Sequence, residues 1–106
     1  MKVCPLSELK EGQNRVIQRG GDYIAVLLRD GQPVAINDTC PHMGGSLATG
    51  WITDEGTVVC PWHGWEFRLC DGAGVWPPGI NIKTYAVEVQ DGDVYVVFND
   101  AEQKAD

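Results

Sequence analysis

Histidine is scarce in this chain: among 106 residues there are two, His42 and His63. Basic residues are also few, with eight Lys and Arg against fifteen Asp and Glu and a formal charge of −7. Those eight are scattered, which argues against nucleic acid as a partner, because a phosphate-binding surface needs clustered cations. An acidic chain suits instead a partner with a basic docking patch, where complementary fields raise the encounter rate. No run of about 18 apolar residues occurs, so no membrane span is expected. The stretch from Met1 to Gln13 carries Glu8, Lys10 and Glu11 where a signal peptide would need apolar residues, so a cytoplasmic protein is expected. There is no long amphipathic-helix pattern, no repeat and no low-complexity segment. The length fits one domain with a modest core, over about residues 1–100.

Each histidine follows closely on a cysteine. Cys40-Pro41-His42 is Cys-x-His and Cys60-Pro61-Trp62-His63 is Cys-x-x-His, with seventeen residues between His42 and Cys60. Thiolate and imidazole are ligands that iron, zinc and copper accept, so the two pairs form a four-donor S2N2 set. A C2H2 zinc finger supplies two cysteines and then two histidines, whereas here each half supplies one of each. That order suits a diiron cluster with both thiolates on one iron and both imidazoles on the other. Four cysteines could also make two disulfides, but the Cys-His pairing points to metal in a reducing compartment.

Cys40-Pro41-His42-Met43-Gly44-Gly45 and Cys60-Pro61-Trp62-His63-Gly64-Trp65 resemble the two cluster-binding boxes of soluble Rieske-type ferredoxins, and the resemblance spans roughly residues 2–99. It implies one [2Fe–2S] cluster per chain, with Cys40 and Cys60 on the inner iron and His42 and His63 on the outer, redox-active iron. It also implies a carrier that takes single electrons from a flavin-dependent reductase to a terminal oxygenase. The small subunit of an NADH-dependent nitrite reductase, bound to a large subunit, is a near relative and the alternative. A zinc-stabilised interaction module on the same ligands is a third. No catalysis is expected of the chain itself: a 2-His-1-carboxylate iron site would need two more histidines.

In high-potential members of this family each box carries a further cysteine, and the two form a disulfide between the loops. The corresponding positions here are Gly45 and Trp62. Those members also place a serine after the second box's His-Gly, where this chain has Trp65, followed by Glu66 with its negative charge. With fewer donors to sulfur and an acidic domain, a low potential is expected. Gly44, Gly45 and Gly64 could let backbone N–H groups point at the sulfides, or could be ordinary turn glycines. Pro41 and Pro61 would stiffen the loops, and Trp62 could shield the cluster, line a docking face or simply pack. Pro77-Pro78 resembles the loop that covers the cluster from a third side. Cys4 reads as a small buried apolar residue and Cys70 as an exposed thiol beside a turn.

The chain otherwise reads as all-β. Short strands are expected at Lys2–Cys4, Arg15–Arg19, Tyr23–Arg29, Gln32–Asn37, Thr57–Cys60, Glu66–Leu69, Asn81–Gln90 and Asp93–Phe98, with a glycine-rich loop over Thr39–Thr53. Asp30-Gly31, Asp71-Gly72 and Asp91-Gly92 mark tight turns. One helical turn is expected at Ser7–Lys10 with Ser7 as its cap, a stiffened loop at Gly74–Gly79 and a frayed tail at 101–106. These elements suggest an antiparallel β-sandwich or small barrel, with a smaller cluster-binding subdomain at about 38–80 standing on it.

Overall fold

The computed structural model describes residues 1–11, 14–40, 45–62 and 64–98. Among the described residues ten strands run in chain order: β1 (Lys2–Pro5), β2 (Arg15–Arg19), β3 (Asp22–Arg29), β4 (Gln32–Asn37), β5 (Trp51–Ile52), β6 (Thr57–Val59), β7 (Glu66–Arg68), β8 (Gly74–Trp76), β9 (Thr84–Gln90) and β10 (Asp93–Val97). They form two antiparallel sheets, one of six strands in the order β1-β10-β9-β4-β3-β2 and one of four in the order β5-β6-β7-β8.

Turn chemistry fixes the hairpins. Asp30 and Gly31 have φ of 51° and 77°, and Asp91 and Gly92 have φ of 52° and 81°. Two successive left-handed residues give the turn whose twist matches that of the flanking strands, so β3–β4 and β9–β10 follow directly. Strand β3 then separates two cores. Ile24 and Val26 face one, with Cys4, Leu9, Ala35, Val94 and Val96. Ala25 and Leu27 face the other, with Ile36, Leu47, Val58 and Phe67. Burial on both faces explains why β3 is a continuous apolar run rather than an alternating one. Cys4 on one edge strand and Ile17 on the other pack into the same core, so the six-stranded sheet curls on itself as a small barrel. The four-stranded sheet packs on its flank through the second core, as the all-β expectation of a base carrying a smaller unit requires.

Three local expectations are corrected. The early turn is a 3-10 turn at Leu6–Glu8 with no side-chain cap, so Ser7 lies inside it. Pro5, at φ −59°, leads the chain into it, and the Leu9 N–H closes it on the Leu6 carbonyl at 3.1 Å. The first half of the Gly74–Gly79 segment is not loop but strand β8. Strand β9 starts at Thr84 rather than Asn81, because the preceding residues are tied to the small sheet. Asn81 Oδ1 accepts from the Gly74 N–H at 3.0 Å, and the Ile82 N–H donates to the Gly72 carbonyl at 2.8 Å. The expected tail at 101–106 lies outside the described residues, and no helix among those described is long and apolar enough to cross a membrane.

Candidate metal centre

The register of the small sheet sends three loops out of the same end. Trp51, Val59, Glu66 and Trp76 form one cross-strand row, Trp51 opposite Val59 and Glu66 opposite Trp76. Val59 is the last residue of β6 and Glu66 the first of β7, so box two is the loop between them. Trp51 is the first residue of β5, and the segment from box one arrives there. Trp76 is the last residue of β8, so Pro77 and Pro78 leave at this end too. The chain then folds back, and a Cβ at Gly74 would overlap the carbonyls of Ile80 and Pro77.

The two boxes are built alike. Thr39 bridges Ser46 and Val59 pairs with Glu66, so each pair is separated by six residues of chain. A cysteine opens each box. The Cys40 N–H donates to the Gly45 carbonyl at 2.8 Å, and the Cys60 N–H donates to the Trp65 carbonyl at 2.8 Å. Both cysteines are buried, 1% and 2% exposed, in the same apolar cluster with Leu47, Val58, Phe67 and Ile82, and the Trp65 side chain packs against it. None of the chain's four cysteines is in a disulfide. Two buried thiols at like positions in paired loops are the donor arrangement that an iron–sulfur cluster held at one end by thiolates requires. Pro41, His42, Met43, Gly44 and His63 lie outside the described residues.

The loops meet at Gly45 and Trp62. A Cβ at position 45 would overlap Cδ1 and Nε1 of the Trp62 indole, so the ring lies against a bare backbone. Neither position carries a cysteine, so no crosslink joins the boxes there. Gly45 therefore has a specific close approach, to the indole. Gly64 has φ +75° and open space around its Cα, so its place is that of a turn glycine, with its N–H on the Cys60 carbonyl at 3.1 Å.

Sequence reasoning passed over Asp38, which is 6% exposed and sits two residues before Cys40. Its Oδ1 accepts from Ser46 Oγ at 2.9 Å and from the Ala48 N–H at 2.8 Å. Its own N–H reaches the Tyr23 carbonyl at 2.8 Å, and its carbonyl accepts from the Leu47 N–H at 2.7 Å. One residue thus joins β3 to both sides of box one. The only signal in the sequence was an aspartate between an apolar strand and a serine-containing, glycine-rich loop. Glu66, expected to place charge near the cluster, turns its carboxylate to Thr57 Oγ1, which donates to it at 2.5 Å. Thr57 is at the far end of β6 from Cys60, so that charge is directed down the sheet. Cys4 is buried in the barrel core, as expected. Cys70 is exposed and accepts from Arg68 Nη2 at 3.4 Å, and that contact, then Asp71, raises the Arg68 pKa above its ordinary value.

The comparisons with known proteins agree with this geometry. A model of the Rieske [2Fe-2S] domain matches residues 1–86. The 3-phenylpropionate/cinnamic acid dioxygenase ferredoxin subunit of Photorhabdus laumondii is 35% identical over 99 residues, covering 92% of this chain and 93% of that protein. A chain in the complex of reduced oxygenase and oxidised ferredoxin of carbazole 1,9a-dioxygenase is 35% identical, with a TM-score of 0.82 over 92% of this chain and 100% of that one. A putative NADH-dependent nitrite reductase small subunit from Mycobacterium tuberculosis, 24% identical, shares the fold with a TM-score of 0.83 over 91% of each chain. The chain belongs to the Rieske [2Fe–2S] domain family.

Proposed function

We propose that Cys40 and Cys60 as thiolates, and His42 and His63 through neutral imidazoles, hold one [2Fe–2S] cluster between the two boxes. The observation that carries this is the pair of like loops, each opened by a buried cysteine, at one end of the small sheet. On this reading, residues of about 38–80 are the cluster-bearing part of a single domain over 1–100. When bound, the cluster stores one electron and gives it back. The chain's residues do the rest. The two cysteines anchor it, Leu47, Val58 and Phe67 keep water from its thiolate side, and Asp38 fixes the start of box one. Two imidazoles in place of two thiolates remove two negative charges, which makes the reduced state easier to reach than with four cysteines.

The chain is a one-electron carrier, taking electrons from a flavin-dependent reductase and delivering them to a terminal oxygenase. The dioxygenase ferredoxin subunit similar to it along most of its length, and the ferredoxin similar to it that is found with its oxygenase, support this. The charge of −7 suits a basic docking face on either partner. The chain itself oxidises no substrate, because both of its histidines are committed to the boxes and none remains for a second iron. The cytoplasm is its place, where reducing conditions keep Cys4 and Cys70 as thiols. The nitrite reductase small subunit offers the same fold, and a place as a fixed subunit is the second reading. Mixing the purified, coloured protein with NADH, a flavin reductase and cytochrome c should give electron transfer that depends on the chain. No transfer above the reductase alone would count against the carrier.

A further inference from the structure

We infer that Trp62 and Gly45 form a non-covalent clasp that holds the two boxes at the separation the cluster needs. The inference rests on the cluster assignment above. The two loops come from different parts of the chain, and among the described residues no disulfide joins them. Each is tied across its ends by a cysteine N–H, to Gly45 in one and Trp65 in the other. What those bonds leave open is how the middle of box two lies against the closing residue of box one. The indole of Trp62 crosses that gap. Its Cδ1–Nε1 edge occupies the space that any side chain at position 45 would fill. Trp62 is 65% exposed, and its Cδ1–Nε1 edge lies against Gly45. An exposed tryptophan costs little to order because it has two rotatable bonds, and its flat edge can lie on a bare Cα. Gly45 is therefore needed for what it lacks, since a methyl there would push the ring aside. Both members carry their effect through the spacing of the loops, which makes them positioning residues rather than ligands.

A clasp made by two residues has a signature that independent structural roles lack: breaking it twice does no more than breaking it once. The test is the rate at which the loaded protein gives up iron to a chelator, followed by loss of its visible absorbance. W62A and G45A should each speed that loss about tenfold, equivalent to about 1.4 kcal/mol. The double variant should match W62A alone, and W62F, which keeps a flat ring over Gly45, should stay within about threefold of the wild type. Far-UV circular dichroism of each variant checks that the sheets are intact. Multiplying effects in the double variant, about a hundredfold in all, would overturn the clasp, as would a W62A protein that loses iron no faster than the wild type. The iron and sulfide content of the wild type separates the two levels of the account. A wild type holding the cluster beside unaffected variants removes the clasp alone, whereas a wild type that takes up no cluster removes both.

Discussion

Box one and box two have the same plan and different supports. Box two grows out of a regular antiparallel pair, β6 and β7, in which Thr57 to Val59 pair with Arg68 to Glu66. Box one has a single bridge at its base, between Thr39 and Ser46, and then a 3-10 turn at Leu47–Thr49. The ladder that fixes box two is replaced in box one by a buried carboxylate, Asp38, bonded to Ser46 and Ala48. A repeated ladder spreads its stability over many weak bonds, while a buried charge concentrates it in one residue. The difference teaches that equal loops need not be equally robust. Box two should tolerate single changes at its base, and box one should not.

The largest effect tests what the boxes share. C40S and C60S should each abolish the cluster, read as iron and sulfide content and visible colour, whereas C4S and C70S should keep it. Retention of two irons by either box variant would break the equivalence of the loops. The next test bears on what differs. D38A removes the acceptor for the Ala48 N–H and for Ser46, and should cost about 2–3 kcal/mol in denaturant unfolding. T57V removes the hydroxyl between Thr53 and Glu66, at the far end of the ladder that carries box two, and should cost about 1 kcal/mol. Equal losses would show that the ladder gives box two no advantage.

A third prediction concerns the electron itself. Trp65 presents no hydroxyl at the position where a serine would bond a cluster sulfur. The midpoint potential should therefore lie near the low end of the roughly −150 to +300 mV Rieske range. A clearly positive midpoint in a redox titration would contradict this. The smallest effect lies in the barrel, away from both boxes. Burial, and then Asp22, push the Tyr85 phenol above its ordinary pKa. The folded state thus favours the neutral phenol, so its contribution is fully present below the unfolded value of about 10 and is lost as pH rises through the folded one. Thermal melts should show a slight alkaline decline that Y85F flattens, with no change in cluster content.

Much of this was legible in the residues. The Asp-Gly turns at 30–31 and 91–92 fixed their hairpins because both positions must be left-handed. The Cys-His spacing located both boxes. What escaped depends on contacts made at a distance in sequence. Asp38 looked like one acidic residue among fifteen, and becomes a brace only when a turn eight to ten residues on brings Ser46 and Ala48 to it. Asn81 and Ile82 continue the alternation of β9 but are captured by the small sheet through Gly74 and Gly72. Gly45 was legible as a close approach, but the group it admits is an indole from the other box. Glu66 was legible as a charge, but its direction depends on a threonine on the neighbouring strand.

The most direct test of the central claim is pulsed EPR of the reduced protein, which reads the nuclei bound to the paramagnetic iron. Two imidazole nitrogens coupled to a [2Fe–2S] signal, one of them lost when His42 or His63 is replaced by cysteine, is the result this account predicts. A cluster with no nitrogen ligands, or a colourless protein carrying one zinc, would contradict it.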